Sequence, residues 1–310
     1  MKWSRILFCP LLLILVASPW GHDALAWSRE GHMVTGAIAY ARLQAEDPEA
    51  LVRVLALLRE YPHFGDLLQA PEDWHLDAED RDLAVFMNAA RWADDVRSGR
   101  FENFSESRWH YVNYHYEDGE LSPPGAPSDD GFLLWALEEN QRRLRQGGRQ
   151  ERAVALTWIF HLVGDIHQPL HTVAHHAPAH PAGDRGGNLF FVRVRADQDT
   201  INLHWLWDDL VIGTDRFTDV RNKAIELRRH PTLTPETLAR QTAAMDFSAW
   251  AAEGAELAVE SVYRRGELQS GTRDHGLLLP DDYISVVKPL AEKRAVLAGY
   301  RLARLISDTF

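Results

Sequence analysis

His161-Leu162-Val163-Gly164-Asp165-Ile166-His167-Gln168-Pro169-Leu170-His171 puts three imidazoles and a carboxylate into an otherwise apolar stretch. Leu156, Ile159, Phe160, Val163, Ile166 and Leu170 recur around them at helical spacing. Ionisable groups buried on such a stripe are costly unless something pairs with or coordinates them. Imidazole and carboxylate together form a ligand set for a divalent metal of the zinc type. His161 and Asp165 are four apart, so a helix places them on one face, one turn apart.

Outward from this stretch, helical periodicity dominates. Apolar positions at amphipathic spacing predict helices over residues 30–44, 50–60, 82–97, 129–146, 151–168, 219–228, 235–243, 246–264 and 283–307. Asp129-Asp130 gives one of them an acidic first turn, and Gly147-Gly148 ends it. Breaker-rich stretches at 118–131, 177–187 and 266–282 separate helices. Leu189-Phe190-Phe191-Val192-Arg193-Val194-Arg195 departs from the pattern. It has β-type composition, is followed by a turn at Asp197-Gln198-Asp199 and then by Thr200-Ile201-Asn202-Leu203, and predicts a small hairpin. The expected fold is mainly α, a single helical domain with one small β-hairpin over residues 27–310.

Residues 1–26 read as a cleaved secretory signal. Lys2 and Arg5 precede an apolar run from Ile6 to Val16 that is too short to cross a bilayer, and Ala24-Leu25-Ala26 is a small-x-small cleavage site. The mature chain would begin at Trp27, be secreted or periplasmic, and keep no stable membrane association. Cys9, the one cysteine, leaves with the signal, so disulfides are excluded. The formal net charge of −12 becomes more negative by one when Lys2, Arg5 and Asp23 go. Such a surface excludes a broad basic face for nucleic acid; an anionic substrate must be drawn in by a local positive site.

Other clusters repeat the chemistry of the first. His204-Trp205-Leu206-Trp207-Asp208 carries a second His-x3-Asp pair in aromatic surroundings. His167, His171 and His175 are also four apart, and periodicity does not say which of them binds. Taken singly, each of these histidines is more simply a hydrogen-bonded core or surface residue. Trp92-Ala93-Asp94-Asp95-Val96-Arg97 places acid and arginine one turn apart, which alone reads as a salt-bridged helix end. Trp109-His110-Tyr111-Val112-Asn113 sets a histidine in an aromatic run, which alone reads as core packing. Trp27 and His32 stand at the expected new N-terminus. A free α-amine, with an ordinary pKa of roughly 8, can lose its proton to a metal and chelate it together with its own carbonyl.

Taken together, these pieces resemble the zinc-dependent single-strand-specific nucleases of the S-one/P-one family, in family order: Trp27 with His32, Trp92-Ala93-Asp94 with Arg97, His110, His161-x3-Asp165-x5-His171, Gly186-Gly187-Asn188, and Asn202-Leu203-His204-x3-Asp208. The resemblance implies a mainly helical fold that holds three zinc ions. Asp94, His110 and His161 would hold one, Trp27 (amine and carbonyl) and His32 a second, with Asp165 bridging the two, and His171, His204 and Asp208 the third. His167 and His175 then drop out as ligands. Asp94, Asp165 and Arg97 would act in catalysis. Tyr111, Asn113 and Asn188 would contact the substrate, with Tyr111 at the base-stacking position and Asn113 where many relatives carry Asp. The implied substrates are single-stranded DNA and RNA, cut to 5′-phosphorylated products, and 3′-nucleotides; the implied state is a monomer. A zinc-dependent phospholipase C shares the ligand set and is the nearest rival, although Leu162 and His175 depart from its pattern. A non-catalytic periplasmic zinc-binding protein is a second rival, disfavoured by Arg97 and Tyr111 beside the site.

Overall fold

The side chain of Ser28 accepts a hydrogen bond from the Gly31 N–H and starts helix α1 (Arg29–Glu46). This opens the computed structural model, which describes residues 27–71, 74, 76–97, 99–123 and 131–310. The expected signal at 1–26 and Asp129-Asp130 lie outside those residues. Asp47 ends α1 and caps α2 (Pro48–Leu58), with Pro48 fixing the corner between them. Asp77 caps α3 (Ala78–Asp95). α4 (Leu133–Gln146) leads through the Gly147-Gly148 stop into α5 (Arg149–Asp165).

The core is built around α5, which is buried along most of its length from Ala153 to Asp165 and packs against α1, α2, α3, α4 and the last helix. That helix, α10 (Tyr283–Ser307), also runs along α1. α6 (Leu203–Asp208), α7 (Phe217–Arg229), α8 (Ala239–Ala243) and α9 (Phe247–Leu257) complete the shell. A π-helical segment at Ala258–Val262 extends α9, so the expected helix over 246–264 changes pitch midway.

α5 stops at Asp165, earlier than the expected 168. Pro169 lacks an N–H and disfavours helical backbone at the residue before it, and Gln168 is extended (φ −82, ψ 116). Pro169–His171 then forms its own 3-10 turn. His161 and Asp165 share the helix as expected, while His171 reaches the site from this turn.

The hairpin over 189–203 forms, but only β4 (Phe191–Arg193) and β5 (Ile201–Asn202) pair, Phe191 opposite Asn202, and Leu203 already belongs to α6. A short strand β6 (Leu277–Leu278) adds in parallel to β4. A second sheet was not anticipated. β1 (Tyr114–Glu117) pairs with β2 (Glu120–Ser122) and, in parallel, with β3 (Val173–His175). This pairing ties the segment after His110 to the segment after His171: Val112 N–H donates to the His171 carbonyl at 2.9 Å, and Tyr114 N–H to the Thr172 carbonyl at 2.9 Å.

Candidate metal centre

Three backbone carbonyls decide which imidazole nitrogens face the centre. A carbonyl only accepts, so the nitrogen that meets it carries the proton and the other keeps its lone pair. His161 Nδ1 donates to Ala90 O (2.9 Å), His171 Nδ1 to His110 O (2.6 Å) and His204 Nδ1 to Gly186 O (2.6 Å). The Nε2 atoms left over point at one another or at acceptors. His171 Nε2 and His204 Nε2 stand 3.1 Å apart, and Asp208 Oδ2 lies 3.6 Å from the latter. His161 Nε2 stands 2.9 Å from His110 Nδ1, 3.2 Å from Asp165 Oδ2 and 3.8 Å from Asp94 Oδ1. Lone pairs facing lone pairs and carboxylates repel unless a cation lies among them.

The surroundings make that demand sharper. His32, Asp94, His110, His161, Asp165, His171, His204 and Asp208 are all buried. Among the described residues, both ring nitrogens of His32, Asp94 Oδ2, His110 Nε2 and Asp165 Oδ1 are buried without a hydrogen-bond partner. Orphaned polar atoms are rare, and their clustering on imidazole and carboxylate side chains is what a bound cation would satisfy. Ligand atoms fall within 4.8 Å of each other in three sets: His32, Asp94, His161; His110, His161, Asp165; and His171, His204, Asp208. The last set coincides with the expected third-zinc site. The first two share His161 and, with Asp165 Oδ1 at 3.2 Å from His32 Nε2, join into one paired centre. The donor set and its burial fit divalent metal.

Charge in the cluster is arranged to suit. Burial holds His110 and His171 down to about 4, with Arg97 adding to the effect at His110, so both imidazoles are neutral and able to ligate. Burial also opposes ionisation of Asp165, but the nearby His161 and His171 and the close contacts with His110 and His161 outweigh it and hold the carboxyl well below its usual range. Asp94 is lowered against burial by Arg97 and three histidines. Burial pushes Asp208 well above the ordinary value despite its bond from Gln168, so a nearby cation is what would keep it ionised.

Local structure explains how these groups meet. Asp94 lies buried at the end of α3, with Arg97 Nη2 3.0 Å from its Oδ1 and 3.1 Å from His110 Nδ1. Asp95 turns the other way, to Arg91 and Arg29. His32 and His161 stack at 4.0 Å because residue 164 is glycine; a Cβ there would stand 2.5 Å from His32 Nδ1. Gly186 has φ +60, and a side chain there would press on the Leu170 carbonyl, so only glycine lets this loop bring its own carbonyl to His204. Asn202 caps α6, its side chain accepting from Trp205 N–H at 2.7 Å, and the helix aims His204 and Asp208 inward.

Trp27 is fully buried. Its indole N–H donates to Gly164 O (3.0 Å), and the next residue, Ser28, donates its N–H to Asp208 O (3.3 Å). The residue is thus bracketed between the two carboxylate-bearing helix ends. Tyr111 and Asn113 are half-buried on either side of buried Val112, directly after His110. Asn188 belongs to the glycine loop, where its side chain donates to Arg185 O at 2.8 Å, a local turn contact. His175 stacks between Tyr116 and Tyr263, away from the three sets, and His167 faces α10.

Several supporting residues carry no sequence signal of their own. Gln168 accepts from Leu170 N–H (2.6 Å) and donates to Asp208 Oδ1 (2.7 Å). Asp184 takes a bond from Tyr263 OH (2.7 Å) and one from His175 N–H (3.0 Å), fixing the loop that carries Gly186. Arg294 donates to the Ile166 and His167 carbonyls beyond the end of α5, and Arg301 Nη1 donates to His167 Nε2 at 2.8 Å.

Residues 27–310 match the family model described as S1/P1 Nuclease. The chain belongs to the S1/P1 nuclease family. This nuclease is 28% identical to Endonuclease 2 of Arabidopsis thaliana, over 96% of its own length and 94% of that protein's. It is 26% identical to Endonuclease 4 of the same plant, over 96% and 93%. A shorter match, 30% identical over 42% of each chain, joins it to Nuclease S1 of Aspergillus oryzae (strain ATCC 42149 / RIB 40). As a member of a family that is in general zinc-dependent, it is a hydrolytic enzyme acting on nucleic acid.

Proposed function

We propose that this nuclease is a secreted or periplasmic monomer that binds three zinc ions. In this reading it cuts single-stranded DNA and RNA to 5′-phosphorylated products and removes phosphate from 3′-nucleotides. The observation that carries the reading is the convergence of eight buried His and Asp side chains, with the Nε2 lone pairs of His161, His171 and His204 turned inward. Asp94, His110 and His161 would hold one ion, Trp27 and His32 a second with Asp165 between, and His171, His204 and Asp208 the third. Zinc bound there supplies positive charge for a phosphodiester and lowers the pKa of water toward neutrality.

The chain's own groups supply the rest. Arg97, steadied by Asp94, presents its guanidinium at the partly open edge of the cluster, where it neutralises phosphoryl oxygens. Water adds to phosphorus in line as the bond to the 3′-oxygen breaks, so phosphate stays on the 5′ side and the 3′-oxygen leaves as hydroxyl. None of these contacts needs a 2′-hydroxyl, which is why both RNA and DNA are expected substrates. Tyr111 offers a ring for an unstacked base, and a paired duplex does not present one.

The test compares rates on a single strand, its duplex, RNA and phosphatidylcholine, with product ends read by mass spectrometry. Cleavage of both single strands with 5′-phosphate ends is expected. Equal cutting of duplex would overturn strand specificity, and hydrolysis of the lipid alone would point to the phospholipase reading.

A further inference from the structure

Residues 27, 28 and 29 each reach a different carboxylate-bearing helix end. The Trp27 indole N–H donates to Gly164 O (3.0 Å), beside Asp165. Ser28 N–H donates to the carbonyl of Asp208 itself (3.3 Å). Arg29 Nε stands 3.1 Å from Oδ1 of Asp95, the neighbour of Asp94. Trp27 can fold back over the first turn of α1 because residue 31 is glycine; a Cβ there would stand 3.0 Å from Trp27 Cβ.

The third tie differs from the other two. Trp27 and Ser28 bond to main-chain carbonyls, which the helix ends fix by themselves. Arg29 bonds to a side chain, and that side chain has to be held. Successive residues of α3 point about 100° apart, so Asp94 is buried in the cluster while Asp95 looks outward with 18% of its side chain exposed. One turn earlier, Arg91 grips both Asp95 oxygens, Nε to Oδ2 at 2.8 Å and Nη2 to Oδ1 at 3.1 Å. Arg91 is fixed in turn: its Nη1 lies 3.7 Å from Met33 Sδ of α1 and 3.9 Å from Asp215 Oδ2. A bidentate pair of this kind sets the plane of the carboxylate, and Oδ1 keeps a second lone pair for Arg29. The Arg29–Asp95 pair adds little to the stability of the fold, since Arg29 leaves 45% of its side chain in solvent. What it governs is direction. Trp27 is tied to α5 and Ser28 to α6, and Arg29 adds the tie to α3, the helix that carries Asp94.

We propose that Arg29 is a positioning residue for the metal centre: its ion pair with Asp95 holds the expected mature N-terminus, and with it Trp27 and His32, in register with Asp94. The inference deepens the three-zinc reading above and rests on it.

The test uses Arg29→Ala, Arg29→Lys, Asp95→Asn and the double variant Arg29→Ala/Asp95→Asn. Each is made as the form beginning at Trp27, with its N-terminus confirmed by mass spectrometry. Zinc affinity is read by competition with a chelator, melting temperature on the chelated protein, and kcat and KM on single-stranded DNA. Arg29→Ala should weaken the loosest zinc about tenfold and lower kcat to a similar degree, with KM unchanged. The chelated variant should melt no more than about 2–4 °C below the chelated wild type. Arg29→Lys should restore most of the zinc affinity, because an ammonium can still pair with Oδ1. In the Asp95→Asn background, Arg29→Ala should have little further effect. Equal zinc affinity in the wild type and Arg29→Ala overturns the positioning role while leaving the zinc reading intact. So does a fall in melting temperature with zinc affinity and kcat unchanged, which is what a merely structural pair would give. A wild type that takes up no zinc overturns both.

Discussion

A histidine is set up to act as a ligand here because its other ring nitrogen is already donating to a main-chain carbonyl. Ala90, His110 and Gly186 supply that carbonyl to His161, His171 and His204. His161→Ala or Asp165→Asn should therefore abolish most activity and release zinc, whereas His175→Ala, stacked between two tyrosines, should do little; the reverse order, read by zinc content and rate, would refute the assignment. Gln168→Ala, which frees Asp208 to turn, should cost about 10–100-fold in zinc affinity or rate. Acid acts on the same rings. His110 and His171 titrate at about 4 in the fold against an ordinary 6.5, so between those values the unfolded chain binds protons the folded one refuses. Their contribution to stability is complete above about pH 6.5 and is lost as pH falls toward 4, at up to about 1.4 kcal/mol per pH unit for each. Asp208 works in the opposite sense, because burial raises its carboxyl and the folded state keeps a proton the unfolded state has released. EDTA-treated protein should melt at a lower temperature at pH 4.5 than at pH 6.5, and Asp208→Asn should steepen that slope. A melting temperature that is flat or rises on acidification would contradict this.

α5 was legible in the sequence because its apolar positions and its His-x3-Asp pair share one period. The hairpin at 191–202 was legible because β-type residues flank a polar turn. The 3-10 turn after α5 was not, since three residues around a proline carry no period, and neither was the β1–β3 pairing, whose strands of three or four residues join segments far apart in sequence. α10 was readable as a helix but not as a support for the site. Two of its arginines lie on the buried side: Arg301 is fully buried and binds His167, the Gln241 carbonyl and Glu253, while Arg294 binds the Ile166, His167 and Trp250 carbonyls and Glu253. The Arg294 bonds to the Ile166 and His167 carbonyls satisfy groups that the proline break leaves without helical partners. Arg301→Met should destabilise the fold by about 2–3 kcal/mol, less than the roughly 3–5 of a fully enclosed pair because Glu253 keeps a third of its side chain exposed. Denaturant unfolding checks the value, and a loss below about 0.5 kcal/mol would show the network to be ornamental.

The buried His and Asp side chains of α1, α3, the His110 turn, α5, the His171 turn and α6 converge on one centre, so metal bound as proposed would cross-link most of the fold. Chelation should therefore lower the melting temperature, and zinc should restore it, because the folded state alone holds the complete site. The composition fits the same picture: a chain with a net charge of −12 does not attract phosphate as a whole, and in the proposed reading metal and Arg97 would do so locally. The family order of the motifs was visible from Trp27 to Asp208; the convergence of lone pairs was not, since it depends on which nitrogen each carbonyl takes. The N-terminus gives a specific check: a form that keeps Met before Trp27 replaces the α-amine with an amide, and it should lose zinc from that position and most of its activity, while equal zinc and rate in both forms would leave Trp27 a packing residue only. The most direct test of a zinc-dependent nuclease is zinc per chain, measured on the form beginning at Trp27 together with its cleavage of single-stranded DNA, before chelation, after it and after zinc is returned. About three ions, with activity lost and regained alongside them, is the expected result; a metal-free preparation that cuts at the full rate would contradict it.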